Sequence, residues 1–336
     1  MSTRKSIGAW PFIVLIGQLL GAWRAEHNYQ TLPEVLPIKK QDALPDESYP
    51  GISVIIPARN EEANLSRLLK SVVCQDYPLY EILVVDDAST DGTAAIVSQY
   101  AERRVRLISI DGPPAGWTGK NFACWQGANA STYPWLLFLD ADTELAPCAL
   151  RSSLAFALEH GAHALSLFAR QRCETFWERL LLPFAYQQYF VGVHAQHVHH
   201  PQGPALANGQ YFLIEREAYQ QAGGHAANAG SIIDDVALAT RLKETGVIPF
   251  ACRGEQLVTV RMYTSLPEII TGFGKNSYLF LRRSPLTGTQ TAASTSLAAS
   301  VLMLFIEAVR KRSLSTFGVA LLAYIAQSLG LRPWLR

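Results

Sequence analysis

The stretch ISVIIPARNEEANLSRLLKSVV (52–73) decides the fold. Its first six residues (52–57) form a short, β-branched apolar run, the composition of a strand buried on both faces. From residue 60 the period changes. Leu65, Leu68, Leu69 and Val72 recur at helical spacing, Asn60 suits an N-cap, and Glu61 and Glu62 suit the first turn, where acids meet the positive end of the helix dipole. A buried strand running into an amphipathic helix is the unit of a parallel sheet.

The unit repeats along the chain. EILVVDD (81–87) reads as a strand, STDGTAAIVSQYA (89–101) as a turn and helix, and VRLISI (105–110) as a third strand. Residues 119–130 read as a helix and PWLLFLD (134–140) as a fourth strand. The expected class is α/β with a mostly parallel sheet and flanking helices. In such open sheets ligands bind beyond the carboxyl ends of the strands. Polar residues gather at those ends: Arg59 and Glu61 after the first, Asp86 and Asp87 after the second, Asp140 and Asp142 after the fourth. A single acid there is usually a cap or a turn former. Three strands ending this way together indicate a site. In extended chain Asp140 and Asp142 face the same way, and two such carboxylates repel unless a cation joins them. Hard oxygen ligands of this kind suit Mg2+ or Mn2+, which keep waters and bind substrate phosphates.

Composition sets the outer bounds. The chain has 336 residues, is 49% hydrophobic and 17% charged, and carries a net charge of +1. A near-neutral balance gives no electrostatic case for nucleic acid. Five scattered cysteines without a CxxC pair favour reduced thiols in a cytosolic compartment. Residues 7–23 hold no charge, and with Arg4 and Lys5 ahead of them they read as a retained membrane anchor or a signal peptide. The anchor is preferred because no small-residue cleavage site follows. Residues 285–306 and 314–331 are again apolar and flank the basic knot Arg310-Lys311-Arg312. They suit membrane-associated helices or a buried core pair. The expected organisation is an anchor at 1–24, a proline-rich linker at 25–50, an α/β domain at 51–280 and membrane-associated helices at 281–336.

SVIIPARNEE (53–62), ILVVDDASTDGT (82–93), FLDADT (138–143) and, later, GGH (223–225) with IIDDVALATRL (232–242) together resemble the successive motifs of glycosyltransferase family 2, with its GT-A fold. The resemblance covers about residues 50–280. It implies an inverting enzyme that moves a sugar from a nucleotide-diphosphate donor to an acceptor. By the same resemblance, Pro57, Ala58, Arg59, Glu61 and Asp87 hold the nucleoside. Asp140 and Asp142 match the D-x-D motif, with Asp142 the direct ligand of Mg2+ or Mn2+. Asp234 and Asp235 match the family's acidic pair, and Asp235 falls at the catalytic-base position. The two acids also suit the start of a helix over 235–246.

The chain departs from the processive members, which carry Q-x-x-R-W after the acidic pair. VRMYTSLPEIITGFGKNSY (260–278) stands there instead. This argues for single transfer, with Arg261 and Tyr263 as candidate diphosphate contacts or, in the plainer reading, a strand-end ion pair. GPPAGWTGKNFACWQGANAS (112–131) places glycines and Lys120 before a helix, so Lys120 is a candidate phosphate ligand. That segment, VRMY and the apolar ends resemble membrane-associated transferases acting on carotenoid- or hopanoid-type lipids. The implied partners are a nucleotide-sugar donor, an isoprenoid-type lipid acceptor and a membrane. The implied location is the inner membrane, with the catalytic domain facing the cytoplasm. ETFWERLLLPFAYQQYFVGV (174–193) reads as an interfacial helix or a core helix kinked at Pro183, and HAQHVHH (194–200) as a loop rather than a zinc site. Two other classes stay open. A nucleotidyltransferase would want a basic, glycine-rich segment where ARNEEANL (58–65) is acidic. A non-catalytic scaffold would be expected to have lost the acids.

Overall fold

The computed structural model describes residues 8–273 and 285–329. In chain order its elements begin with α1 (Ala9–Thr31), β1 (Ile52–Ala58), α2 (Glu62–Val73), β2 (Tyr80–Asp87), α3 (Thr93–Ser98), β3 (Val105–Ile110) and α4 (Gly119–Ala130). There follow β4 (Trp135–Leu139), β5 (Thr143–Leu145), α5 (Ala149–Glu159), β6 (Ala164–Phe168), β7 (Arg170–Gln171) and α6 (Phe176–Gly192). The chain continues through β8 (Tyr211–Glu215), α7 (Arg216–Gln221), α8 (Asp234–Glu244), β9 (Phe250–Arg253) and β10 (Val258–Val260) to α9 (Pro285–Lys311) and α10 (Leu314–Leu329). Contacts divide it into a sheet unit, Leu32–Arg172 with Gln196–Met262, and a helical unit, Met1–Thr31, Cys173–Ala195 and Tyr263–Arg336.

The sheet unit holds seven strands in the order β3-β2-β1-β4-β8-β6-β9, with β5, β10 and β7 in a smaller sheet. In the large sheet β8 runs antiparallel to β4 and β6, and the other pairings are parallel. The expected α/β class with a mostly parallel sheet is therefore observed. Parallel register puts Ala58 beside Asp86, so β1 and β2 end at one edge. Because β8 runs the other way, its approach, Asn208-Gly209, arrives at the edge that β4 leaves: Asp140 N–H donates to Gln210 O at 3.4 Å.

Boundaries follow the expected pattern except where a distant loop overrides it. The helix expected from residue 60 begins at Glu62. Asn60 has φ +56, a left-handed conformation that asparagine tolerates and an N-cap does not use. Caps come instead from the loop before α3. Ser89 Oγ accepts the N–H of Asn60, Thr93 Oγ1 that of Glu61, and Asp91 Oδ2 that of Glu62. Glu62 returns the contact by accepting Gly92 N–H at 2.9 Å. Of the turn and helix expected over 89–101, the turn is held by Asp91, which accepts Thr93 N–H at 3.0 Å, and the helix is α3, after which the chain turns at Gln99.

Residues 32–50, expected within a linker, lie along the sheet unit. Arg253 N–H donates to Pro33 O at 2.7 Å and Val35 N–H to Arg253 O at 2.9 Å. Farther on, Arg151, 1% exposed, reaches Asp46 at 2.9 Å and Asp76 at 3.3 Å. Residues 25–31 are the end of α1.

In the helical unit, Thr175 and Glu178 form a capping box that starts α6. Asn28 of α1 donates to Phe190 O and Arg24 to Val191 O, both at 2.8 Å, and Tyr29 meets Phe190 edge-on. Val14, Val301, Leu304, Ala320 and Ala323 join α1, α9 and α10. The outward faces stay apolar, with Trp23 at 65% and Leu314 at 90% exposure. For the expected anchor and membrane-associated helices no spanning segment is found: among the described residues no helix is long and apolar enough to cross a membrane. The apolar run of α1 gives way at Arg24 to Glu26, His27 and Asn28. The first half of α9 is rich in Thr and Ser. Residue 7 and residues 330–331 of the expected segments lie outside the described residues.

Candidate active site

At the edge where β1, β2 and β4 end, residues from five segments converge. Pro57, Lys120, Asp140, Gly209, Asp234 and Asp235 line one cavity. The D-x-D does not continue β4. The chain turns after Leu139, and Asp140 O accepts both the N–H of Thr143 at 3.2 Å and its hydroxyl at 2.7 Å. The expected extended, same-facing geometry therefore gives way to a turn that separates two roles. Asp140 Oδ1 sits 2.8 Å from Lys120 Nζ, whereas Asp142 Oδ1 is buried with no hydrogen-bond partner. Asp142 O accepts the backbone N–H of Arg261 at 3.1 Å, which places Arg261 beside the D-x-D.

Lys120 also reaches Asp234 Oδ2 at 3.4 Å. Burial alone pushes an ammonium down, but the facing Asp140 and Asp234 carboxylates overcome it and hold Lys120 well above the usual lysine range. In this structure the lysine faces these two carboxylates. Asp235 lies beside this pair. Its Oδ2 accepts Gly209 N–H at 2.8 Å and its Oδ1 accepts Val236 N–H at 2.7 Å. Burial and then the neighbouring Asp234 push its carboxyl up to about 6, against the pull of Lys120 and the two N–H donors. The fit at Gly209 is close: an added Cβ would stand 3.2 Å from Lys120 Nζ and 3.4 Å from Asp235 Cβ.

Along the β1–β2 edge, Arg59 pairs with Asp87 at 3.3 Å; the arginine side chain is 61% exposed and the aspartate 4%. Asp87 Oδ1 is buried and lacks a hydrogen-bond partner. Its other oxygen lies against the first residue of α4, where the Cβ of any residue but glycine at 119 would fall on it. Gly119 thus makes its close approach to a carboxylate of the protein itself. Ala58 is buried at the end of β1. Glu61 accepts from Asn64 at 3.0 Å, and burial together with Asp140 and Asp91 raises its carboxyl. Tyr263 belongs to the helical unit, where its ring meets Phe273 at 5.7 Å.

Several residues of the site carry no plain sequence signal. Asn121 Nδ2 donates to the carbonyls of Asn228, Ala229 and Ser231 at 2.8–3.0 Å, stitching α4 to the loop before the acidic pair. His225, in the same cavity, packs on Phe138 and faces Tyr219 OH at 2.9 Å. Lys243 of α8 donates to the carbonyls of Val198, His200, Gly203 and Pro204 at 2.6–3.2 Å. The histidine segment is held as a loop, with His199 stacked on Phe250 and accepting Ala251 N–H. Trp117, just before α4, forms a half-buried aromatic group with Phe122 and Trp125 of the helix.

The donor set fits a divalent cation with few protein ligands. Asp142 is pushed up to about 8 by burial and by Asp140 and Glu61, and one of its oxygens is orphaned. A cation would relieve both. Among the described residues no group of three or more His, Cys, Asp or Glu side chains is arranged to hold a metal by itself. Such a site leaves most positions to water and phosphate, the usual arrangement for Mg2+.

Comparison with known proteins bears on this site. A family model for glycosyl transferase family 2 matches residues 53–221. A 4,4'-diaponeurosporenoate glycosyltransferase of Staphylococcus haemolyticus is 30% identical over 244 residues, 68% of this chain and 62% of that protein. One from Staphylococcus aureus is 28% identical over 219 residues, 64% of this chain and 57% of that protein. The chain therefore spans somewhat under two thirds of the length of these curated relatives. A mannosyltransferase from Pyrobaculum calidifontis, solved with GDP-Man and Mn2+, matches in fold with a TM-score of 0.55 at 20% identity, over 95% of this chain and 96% of that one.

Proposed function

The chain belongs to glycosyl transferase family 2, and on that premise we propose that it is an inverting, metal-dependent glycosyltransferase that moves a sugar from a nucleotide diphosphate to a hydroxyl or carboxyl of an isoprenoid-type lipid at a membrane surface. The observation that carries this reading is the convergence of Asp140, Asp142, Asp234 and Asp235 about Lys120 at one sheet edge.

The chain's own residues have separable roles in it. Asp87, with an unsatisfied buried oxygen and Arg59 beside it, is a ready acceptor for a nucleoside donor group. Asp142 would hold Mg2+ or Mn2+, which supplies charge neutralisation for the leaving diphosphate. Arg261, adjacent to Asp142, is suited to the same diphosphate. Asp235 takes the proton of an acceptor hydroxyl. Its carboxyl, pushed up to about 6, stays ionised at neutral pH while keeping useful basicity. Gly209 and Val236 N–H aim that carboxylate.

Support for a lipid acceptor comes from the names of the curated relatives. For a membrane surface it comes from the exposed apolar residues of the helical unit, among them Trp10, Trp23, Leu302 and Phe176, and from the exposed Arg310-Lys311-Arg312. Apolar area beside clustered basic residues favours the interface of an anionic bilayer. The proposed location is the cytoplasmic face of the inner membrane.

The test is transfer by the purified full chain in detergent. Labelled UDP- and GDP-sugars are offered with Mn2+ and a carboxyl-bearing polyene such as 4,4'-diaponeurosporenoate. The expected outcome is a labelled, solvent-extractable lipid that EDTA abolishes. Donor binding without any lipid product would overturn the acceptor class; no binding of any nucleotide would overturn the transferase itself.

A further inference from the structure

Lys120 occupies an unusual place for a residue beside a diphosphate site. It lies in the first turn of α4, yet its ammonium turns into the acidic cluster, 2.8 Å from Asp140 Oδ1 and 3.4 Å from Asp234 Oδ2. These two carboxylates come from the end of β4 and the start of α8. An ammonium has three donors in all. With two engaged, a swing outward to a phosphate would strip both carboxylates of their partner. The base of the lysine is also fixed. Thr118 caps α4 through Asn121 N–H, Thr118 N–H donates to Ala229 O at 2.9 Å, and Asn121 grips three carbonyls of the loop leading to Asp234. Helix and acidic pair are therefore tied into one piece, with the lysine between the acids.

Charge arithmetic follows. The D-x-D offers two carboxylates, with Asp234, Asp235 and Glu61 close by, and one cation of the protein, Lys120, stands among them. A free divalent ion approaching Asp142 meets that ammonium as a like charge nearby. A metal that arrives with a nucleoside diphosphate is different, because the trianionic diphosphate reverses the sign of the incoming complex and the same ammonium attracts it. We propose that Lys120 is a built-in counter-ion that weakens the hold of the D-x-D on free divalent cations and so favours metal that arrives with the nucleotide. The inference rests on the transferase reading for its metal and its donor.

The test measures Mn2+ binding directly, without turnover. The full chain in detergent is titrated with Mn2+, and the free aquo ion is read by electron paramagnetic resonance. Wild type, Lys120→Met and Lys120→Arg are compared, each with no nucleotide, with UDP and with GDP. Nucleotide-free Lys120→Met is expected to bind Mn2+ at least about tenfold more tightly than wild type, because a like charge has gone. Lys120→Arg, which keeps the charge, is expected to match wild type. Should Lys120→Met fail to fold by thermal melt, Lys120→Gln removes the same charge while keeping donors to both acids. If wild type gains Mn2+ affinity with a nucleotide but the neutral variant binds nucleotide-free Mn2+ no better than wild type, the counter-ion role is wrong and the transferase reading stands. If neither UDP nor GDP raises Mn2+ affinity in wild type, the transferase reading falls.

Discussion

Tyr219 accepts the backbone N–H of His225 at 3.1 Å and faces that residue's Nδ1 at 2.9 Å. The hydroxyl has one proton, and Nδ1 is the acceptor in reach. His225 is thereby assigned as the neutral tautomer protonated at Nε2. Burial pushes it down from 6.5 to about 4, against the opposing pull of Asp234.

Acid should therefore weaken the fold through His225. Between about 4 and 6.5 the unfolded chain binds a proton that the folded chain refuses, so stability is full above the unfolded value and falls as pH drops through that window. The loss reaches about 3 kcal/mol at the bottom of the window. Thermal melts at pH 7 and 4.5 measure it. His225→Phe, which cannot titrate, should show a smaller acid loss than wild type; an equal loss would move the cause elsewhere.

Asp235 carries the opposite sign. Its carboxyl is raised from 3.8 to about 6, so the folded chain binds the extra proton and this residue's contribution is lost as pH rises through that window. Asp235→Asn should then melt no lower than wild type at pH 7. Activity behaves differently: kcat for a hydroxyl acceptor should rise with pH through about 6, and Asp235→Asn should lower it about 10²–10⁴-fold. A variant that keeps wild-type turnover would remove Asp235 from the role of base.

Gly119→Ala tests the close contact at the start of α4. Its methyl would fall on Asp87 Oδ2, displacing the carboxylate that pairs with Arg59. The expected cost is about 1–3 kcal/mol of stability, with a raised KM for the nucleotide sugar and a smaller change in kcat. Steady-state kinetics over donor concentration separate the two. A change confined to kcat would argue that Asp87 has no part in donor binding.

Arg151 is a buried cation with two carboxylate partners, Asp46 and Asp76, and it lies over the ring of Tyr49. Arg151→Met should destabilise the sheet unit by about 1–3 kcal/mol through the loss of its charged hydrogen bonds to Asp76 O and the two carboxylates, while Lys40 still reaches Asp46 and Asp76 at 3.6 Å. Urea unfolding reads the difference. Loss of less than about 1 kcal/mol would show that the segment over residues 32–50 is held by its backbone contacts instead.

Vesicle sedimentation tests the helical unit. The full chain should bind anionic vesicles better than zwitterionic ones. Replacing Arg310, Lys311 and Arg312 by alanine should weaken anionic binding by roughly 1 kcal/mol per residue. Equal binding to both lipids by wild type would remove the electrostatic part of the proposal.

Much of the sheet was legible because its signals are local. VRLISI and residues 119–130 match β3 and α4 to the residue. What the pattern hides is direction and partnership. YFLIE reads as a strand whichever way it runs, so the antiparallel placement of β8 was not visible. A lysine after a glycine looks the same facing a phosphate or facing Asp140 and Asp234. Asn60 is a cap by type, but its left-handed backbone and the Ser89–Thr93 loop assign capping to residues about thirty positions away. The acids of the strand ends were legible for the opposite reason: one rule about sheet edges covers them all.

The reversed strand β8 has a consequence for how such a chain can diversify. A parallel strand brings only its last residue to the working edge, whereas β8 brings its first. The segment that precedes it, from residue 173 to residue 195, leaves the sheet unit after β7 and rejoins it ahead of β8. Lengthening or exchanging that detour shifts no register in the sheet, because no strand of the sheet lies within it. Novelty can accumulate there while the strands that carry the acids stay untouched.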